Sequence, residues 1–143
     1  MHSTMQKFGY PQTSIKDYSH WALVLRPQQV TLGSLVLICR EDAQAFSKIS
    51  SEAFLELPLA IREVEHSLQE AFSYEKLNYL MLMMVDPEVH FHIIPRYSGP
   101  KSFSQQQFSD AGWPGPPNLK SPNETNDEIN LSIIECIREK LRS

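Results

Sequence analysis

A chain of 143 residues is long enough for one domain with a real core, and a formal net charge of −4 argues against broad nucleic-acid binding, which needs a basic surface. With 41% apolar and 21% charged residues, the composition is neither disordered nor membrane-spanning; runs such as LGSLVLIC and YLMLMMV are too short to cross a bilayer. The two cysteines, Cys39 and Cys136, lie far apart and outside any C-x-x-C pattern, as expected of reduced thiols in a cytoplasmic protein, and the N-terminus lacks a charged-then-apolar signal pattern.

Residues 1–17 read as a tail and irregular lead-in, with one domain following. YSHWALVL, residues 18–25, is rich in aromatic and β-branched side chains and predicts a strand that ends at Arg26-Pro27, where proline lacks the N–H a ladder needs. Gly33 closes the connection, and SLVLIC, residues 34–39, predicts a second strand pairing as a hairpin with a longish loop. Asp42 is placed to cap a short helix. Leu57, Ile61, Val64, Leu68 and Phe72 then recur at three- and four-residue steps, a helical stripe in which Pro58 is expected in the first turn or at a break. Residues 77–85 predict a third strand, Asp86-Pro87 a turn. After Arg96, residues 97–123 are dense in Gly, Pro, Ser and Asn and predict irregular structure. Thr125 and Glu128 fit a capping box for a last helix bearing Ile129, Ile133, Ile134, Ile137 and Leu141.

The chemistry concentrates in DPEVHFHIIPR, residues 86–96. Strict alternation is the pattern of a half-buried strand, so Val89, Phe91 and Ile93 point one way and Glu88, His90 and His92 the other. Such a row suits two chemistries. A carboxylate and two imidazoles form the ligand set of many metal sites. Alternatively, a neutral imidazole attacks phosphorus, and a second group on the same face helps hold the phosphate oxygens. The nucleophilic ring needs an acceptor on its far nitrogen to fix the tautomer. No phosphate loop of the G-x-x-x-x-G-K-[ST] type is present, which excludes an ordinary ATPase.

VHFHIIPR resembles the signature of the histidine triad family, His-φ-His-φ-His-φ-φ, often followed by Pro-Arg, with Glu88 standing at the first histidine. HWALVLRP, TLGSLVLICRED and EKLNYLMLMMVDPEVHFHIIPRY follow that family's order, so the likeness covers roughly residues 18–97. The C-terminal part, with Trp113 and a last helix, is more similar to the dinucleoside-polyphosphate hydrolase branch. The resemblance implies an α+β fold with an antiparallel sheet of about five strands, residues 18–97 as the core and 98–143 as part of the same domain. It implies a homodimer acting at the α-phosphate of nucleoside phosphate conjugates, dinucleoside polyphosphates first, through a nucleotidyl-His90 intermediate. His92 would hold phosphate or assist the leaving group, and Leu25 and Val36 would wall a slot for the base. Asn78 resembles an asparagine near the phosphate, though one residue closer to the triad than usual, and Arg96 is a candidate phosphate contact or brace. Trp113 is expected to pack at the sheet edge or stack on a base. No tightly bound cofactor is implied, only Mg²⁺ carried by the nucleotide, and neither a nucleic-acid nor a membrane partner. Three departures stand out: Glu88 itself, expected in the catalytic row with His90 and His92 as a hydrogen-bond partner of His90, an anchor behind it or a mark of weakened activity; MMVD where a polar phosphate contact is usual; and Leu25 where some hydrolases have a ribose-binding asparagine. Two alternatives stay open: a non-catalytic nucleotide binder, and a metal site built from Glu88, His90 and His92.

Overall fold

The computed structural model describes residues 1–142. Seven strands and three α-helices follow in the order α1 (Ser3–Lys7), β1 (Ser14–Asp17), β2 (Trp21–Leu25), β3 (Leu35–Cys39), α2 (Ser51–Phe72), β4 (Lys76–Leu80), β5 (His90–Arg96), β6 (Lys101–Phe103), β7 (Gln106–Phe108) and α3 (Asp127–Leu141). The first five strands form one antiparallel sheet in the order β1-β2-β3-β5-β4, so the fold is α+β, as expected.

The sheet's two faces are sorted by sequence parity. Trp21, Leu23, Leu25, Leu35, Leu37, Cys39, Val89 and Ile93 point to one side, where they pack with Ala53, Ala60, Val64, Leu68 and Phe72 of α2 and the three isoleucines at 133, 134 and 137 of α3. This is the main core, and Trp21 also donates its indole N–H to the Ala53 carbonyl at 2.8 Å. Ala22, Val24, Val36 and Ile38 point to the opposite side, where Met5 and Phe8 cover them. Fully burying side chains of this size contributes about 1.5–3 kcal/mol each, so the N-terminal segment is docked by its own apolar residues.

Several elements depart from expectation. Residues 1–17 are not a tail: α1 lies on the second face of the sheet and β1 pairs with β2. Pro58 sits in the eighth position of a continuous helix, neither in its first turn nor at a break. Only the Phe54 carbonyl loses its helical donor there, and α2 is held on the core by residues on both sides of the proline. The cap of α2 is Ser50, whose Oγ accepts from the Ala53 amide at 3.0 Å and donates to Glu41; Asp42 caps nothing. Likewise α3 is capped by Asn126, which accepts from the Ile129 amide at 2.8 Å, so the Thr125–Glu128 box is off by one residue. The third strand stops at Leu80 rather than Val85. Within the Gly- and Pro-rich segment, β6 and β7 form a hairpin whose turn residues Ser104 and Gln105 have φ of 53° and 65°, the left-handed pair that matches strand twist.

The β2–β3 connection is braced throughout. Gln29 is fully buried; its amide donates to the Arg26 and Ser34 carbonyls at 2.8 and 2.9 Å and its oxygen accepts from the Gly33 amide at 2.8 Å. Thr31 Oγ1 donates to the Pro95 carbonyl and the Tyr97 hydroxyl to the Leu32 carbonyl. Gly33 has φ of +87°, and a Cβ there would lie 2.8 Å from the Phe72 ring, so conformation and space both demand glycine.

Candidate functional site

His90 and His92 open β5 on the face opposite the main core, with ring centroids 5.0 Å apart and edge to face. Phe8 stands against both, at 6.0 Å from His90 and 5.7 Å from His92. His90 Nδ1 lies 2.6 Å from the backbone carbonyl of Glu88. A carbonyl can only accept, so Nδ1 carries the proton and Nε2 of the neutral ring keeps its lone pair. The acceptor demanded by a nucleophilic histidine is therefore present, two residues earlier on the same strand.

The Glu88 side chain does something else. Its Oε1 accepts from Ser3 Oγ at 2.9 Å, the Thr4 amide at 2.9 Å and Thr4 Oγ1 at 2.7 Å, while the Glu88 amide donates to Thr4 Oγ1 at 3.3 Å. Burial pushes its pKa up, but the donors of Thr4 and Ser3, with the electrostatic influence of nearby His2, outweigh this and hold it below the ordinary glutamate value. His2 adds a second tie, donating from Nε2 to the Cys39 carbonyl at 2.6 Å. Its Nδ1 accepts from the Met5 amide at 3.3 Å and lies 3.3 Å from Glu88 Oε1. Glu88 is thus the anchor of α1, not a group aimed at substrate. With its carboxylate committed to the N-terminal segment, the metal set of Glu88, His90 and His92 does not assemble, and among the described residues no three His, Cys, Asp or Glu side chains converge as metal ligands.

The two histidines line a cavity of about 270 Å³ with Lys7, Phe8, Arg26, Gln28, Leu119 and the loop Leu82 to Asp86. His92 is 5% exposed, and burial, with His90 and Arg26 adding positive potential, lowers its pKa to about 4. It is a neutral imidazole near neutral pH. Arg26 and Lys7 bring positive charge to the cavity and Asp86 negative, with Lys7 Nζ 3.1 Å from Asp86 Oδ1.

The other expected binding residues lie elsewhere. Leu25 points into the main core and cannot wall a slot on the histidine face. Val36 is paired with His92 across β3 and β5 on the correct face, but Met5 and Phe8 cover it, so this chain fills the slot with its own N-terminal residues. Asn78 and Arg96 share the histidine face at its far end and serve each other: Arg96 Nη1 donates to Asn78 Oδ1 at 2.8 Å. The guanidinium also makes a two-pronged pair with Asp110 at 2.7 and 3.0 Å and donates to the Gly115 carbonyl at 2.8 Å. Four of its five N–H groups are used, so Arg96 is a brace for the C-terminal segment and not a phosphate contact. These two residues line a separate cavity with Lys76 and half-buried Trp113.

Arg26, Lys7 and Phe8 carry no role in the expectation drawn from sequence. A signal for Arg26 was available: Trp21, Leu23 and Leu25 are core-facing, so by strict alternation residue 26, not residue 25, is next on the histidine side. For Lys7 and Phe8 there was none, because they are the last residue and the C-cap of a five-residue helix without repeating pattern.

No family model and no curated protein sequence matches the chain. Solved structures do. A histidine triad protein from Bradyrhizobium japonicum superposes with a TM-score of 0.76 at 22% identity, over 99% of this chain and 96% of that one. Histidine triad proteins from Sinorhizobium meliloti 1021 and Marinobacter aquaeolei VT8 also reach 0.76, at 20% and 19% identity, covering 98% and 99% of this chain and 95% of each of theirs. The likeness includes the N-terminal region outside the motif, and the chain has the fold of the histidine triad proteins.

Proposed function

We propose that the protein is a nucleotide hydrolase or transferase acting at the α-phosphate of a nucleoside phosphate conjugate, with dinucleoside polyphosphates as first choice and Mg²⁺ arriving only with the substrate. The observation that carries this reading is the 2.6 Å bond from His90 Nδ1 to the Glu88 carbonyl, which leaves Nε2 as the nucleophilic nitrogen of a residue lining a cationic cavity. His90 Nε2 attacks the α-phosphorus; a P–N bond forms as the P–O bond to the leaving phosphate breaks and takes its electron pair. Water then cleaves the P–N bond, releasing nucleoside monophosphate and restoring the ring. Two-step transfer of this kind replaces one difficult displacement by two easier ones. Neutral His92 donates to phosphate oxygen without bringing a proton equilibrium near pH 7 into the reaction. Phe8, Leu82, Met83 and Leu119 offer apolar surface for the base.

The experiment is intact-protein mass spectrometry after incubation with a panel of adenylated compounds. The expected result is a nucleotidyl adduct mapped to His90 and absent from His90→Gly. An adduct on His92 would overturn the assignment, and nucleotide binding with no adduct or turnover would leave a non-catalytic binder. Among the described residues no helix is long and apolar enough to cross a membrane; a cytoplasmic place for this activity is part of the proposal.

A further inference from the structure

Two arginines on the histidine face can be compared: Arg96 is buried and Arg26 half-buried. Arg96 meets a carboxylate, an amide oxygen and a carbonyl. Arg26 meets far less: Nη1 donates to the Gln28 carbonyl at 2.8 Å, and Nε is buried with no protein partner. His92 Nδ1 is also buried without a partner, and both residues line the same cavity. The remaining orphan, Asn130 Oδ1, belongs to α3 and lies outside that cavity. Each unmet buried polar group is costly; Arg26 Nε–H can only donate, so it calls for an acceptor that enters from solution, and His92 Nδ1 is left open to the same cavity.

Charge points the same way. Asp86 is the one acid lining the cavity among the described residues; Lys7 pairs with it at 3.1 Å and Arg26 feels it only through space, so two cations share one carboxylate and the cavity keeps a net positive charge. A guanidinium matches phosphate oxygens with paired, directional N–H groups. The loop that carries Arg26 is also pre-set, because the buried Gln29 side chain fixes the Arg26 and Ser34 carbonyls and the Gly33 amide before any ligand arrives.

We propose that Arg26 binds a second phosphoryl group, beside the one that His90 attacks and His92 contacts, so that the site selects nucleoside polyphosphates over nucleoside monophosphate conjugates with uncharged leaving groups. The proposal rests on His90 as the nucleophile and adds the residue that senses the leaving group's charge. Arg26 is a specificity-determining contact, and Lys7 needs no substrate role because Asp86 already occupies it.

The test is calorimetric titration of the full-length His90→Ala protein, which cannot turn over, with AMP and with ADP. ADP is expected to bind more tightly than AMP. Adding Arg26→Gln should weaken ADP by about 10- to 100-fold while leaving AMP within about twofold, the range of a charge-assisted hydrogen bond. Arg26→Lys should recover part of the difference, which a merely structural role would not produce. Equal weakening of AMP and ADP, or no change in either, overturns the assignment of a second phosphoryl contact while leaving the His90 reading in place. Failure of the His90→Ala protein to bind either nucleotide overturns both.

Discussion

Replacing Glu88 separates its two possible jobs. If it anchors α1, Glu88→Gln keeps the shape but removes the charge that receives three donors at 2.7–2.9 Å. Hydrogen bonds to a charged group are worth about 1.5–3 kcal/mol, and the glutamine oxygen still accepts some of them, so a loss of about 1–3 kcal/mol is expected. Glu88→Ala leaves the buried amide and hydroxyl of Thr4 unmet and should cost about 3 kcal/mol or more. What remains to hold the segment includes the burial of Met5 and Phe8, the His2 bond to Cys39 and the exposed Lys7–Asp86 pair. The loss therefore shows as local opening, not global unfolding. Amide hydrogen exchange at Thr4 and Phe8, bonded to Glu88 Oε1 and the Thr4 carbonyl, should accelerate roughly 10- to 100-fold in Glu88→Gln, since about 1.4 kcal/mol is a factor of ten. Amides at the β3–β5 ladder should keep their protection. Adduct formation at saturating nucleotide should survive, because the His90 tautomer depends on the Glu88 carbonyl, which every substitution retains. A Glu88→Gln protein that protects Thr4 and Phe8 as before yet forms no adduct would refute this reasoning and return the carboxylate to the chemistry.

Burial lowers the His92 pKa from 6.5 to about 4, so the unfolded chain takes up this proton before the folded one does. The stability it confers is complete above pH 6.5 and falls as pH drops toward 4, with a loss of about 2 kcal/mol by pH 5; urea denaturation of wild type and His92→Asn should show that slope only in wild type, and identical slopes from pH 6.5 to 5 would refute it. A homodimer is expected to form across the unpaired edge of β4, beside an opening lined by Leu37, Leu57, Ile61, Tyr79 and Phe91. Sedimentation should give a dimer at micromolar concentration that Ile61→Asp converts to monomer, and a monomeric wild type would dismiss that interface.

Legibility in the sequence followed the strength of periodic burial. The β2, β3 and β5 segments and both long helices have core faces at the spacing their side chains require, so existence and type were readable while caps slipped by a residue or more. The histidine row could be read for the same reason. Short elements held from outside could not be read. Helix α1 is five residues, and its stability lies in Glu88, Cys39 and the sheet surface, all distant in sequence. The β6–β7 turn uses Ser104 and Gln105 in left-handed conformations where Asn-Gly would have announced it. Leu25 was assigned to a slot by likeness to a pattern, although its parity with Trp21 and Leu23 already placed it in the core.

Glu88 need not blunt the site, because position 88 offers the strand two separate groups. Its carbonyl, which any residue supplies, turns toward His90 and fixes the proton on Nδ1. Its side chain leaves the same backbone position toward Ser3 and Thr4. A carboxylate facing the phosphate would repel it; with Oε1 facing three donors, its charge is spent on the N-terminal segment. That segment in turn brings Phe8 against both imidazole rings and Lys7 onto Asp86, so the one acid that acts on Arg26 is shared with a second cation. Glu88 thus reaches the cavity through α1: it favours the docked segment, and the docked segment leaves the cavity with a net positive charge. Any change that frees residues 1–8 should consequently release Asp86 toward Arg26 and weaken polyphosphate binding even with both histidines untouched.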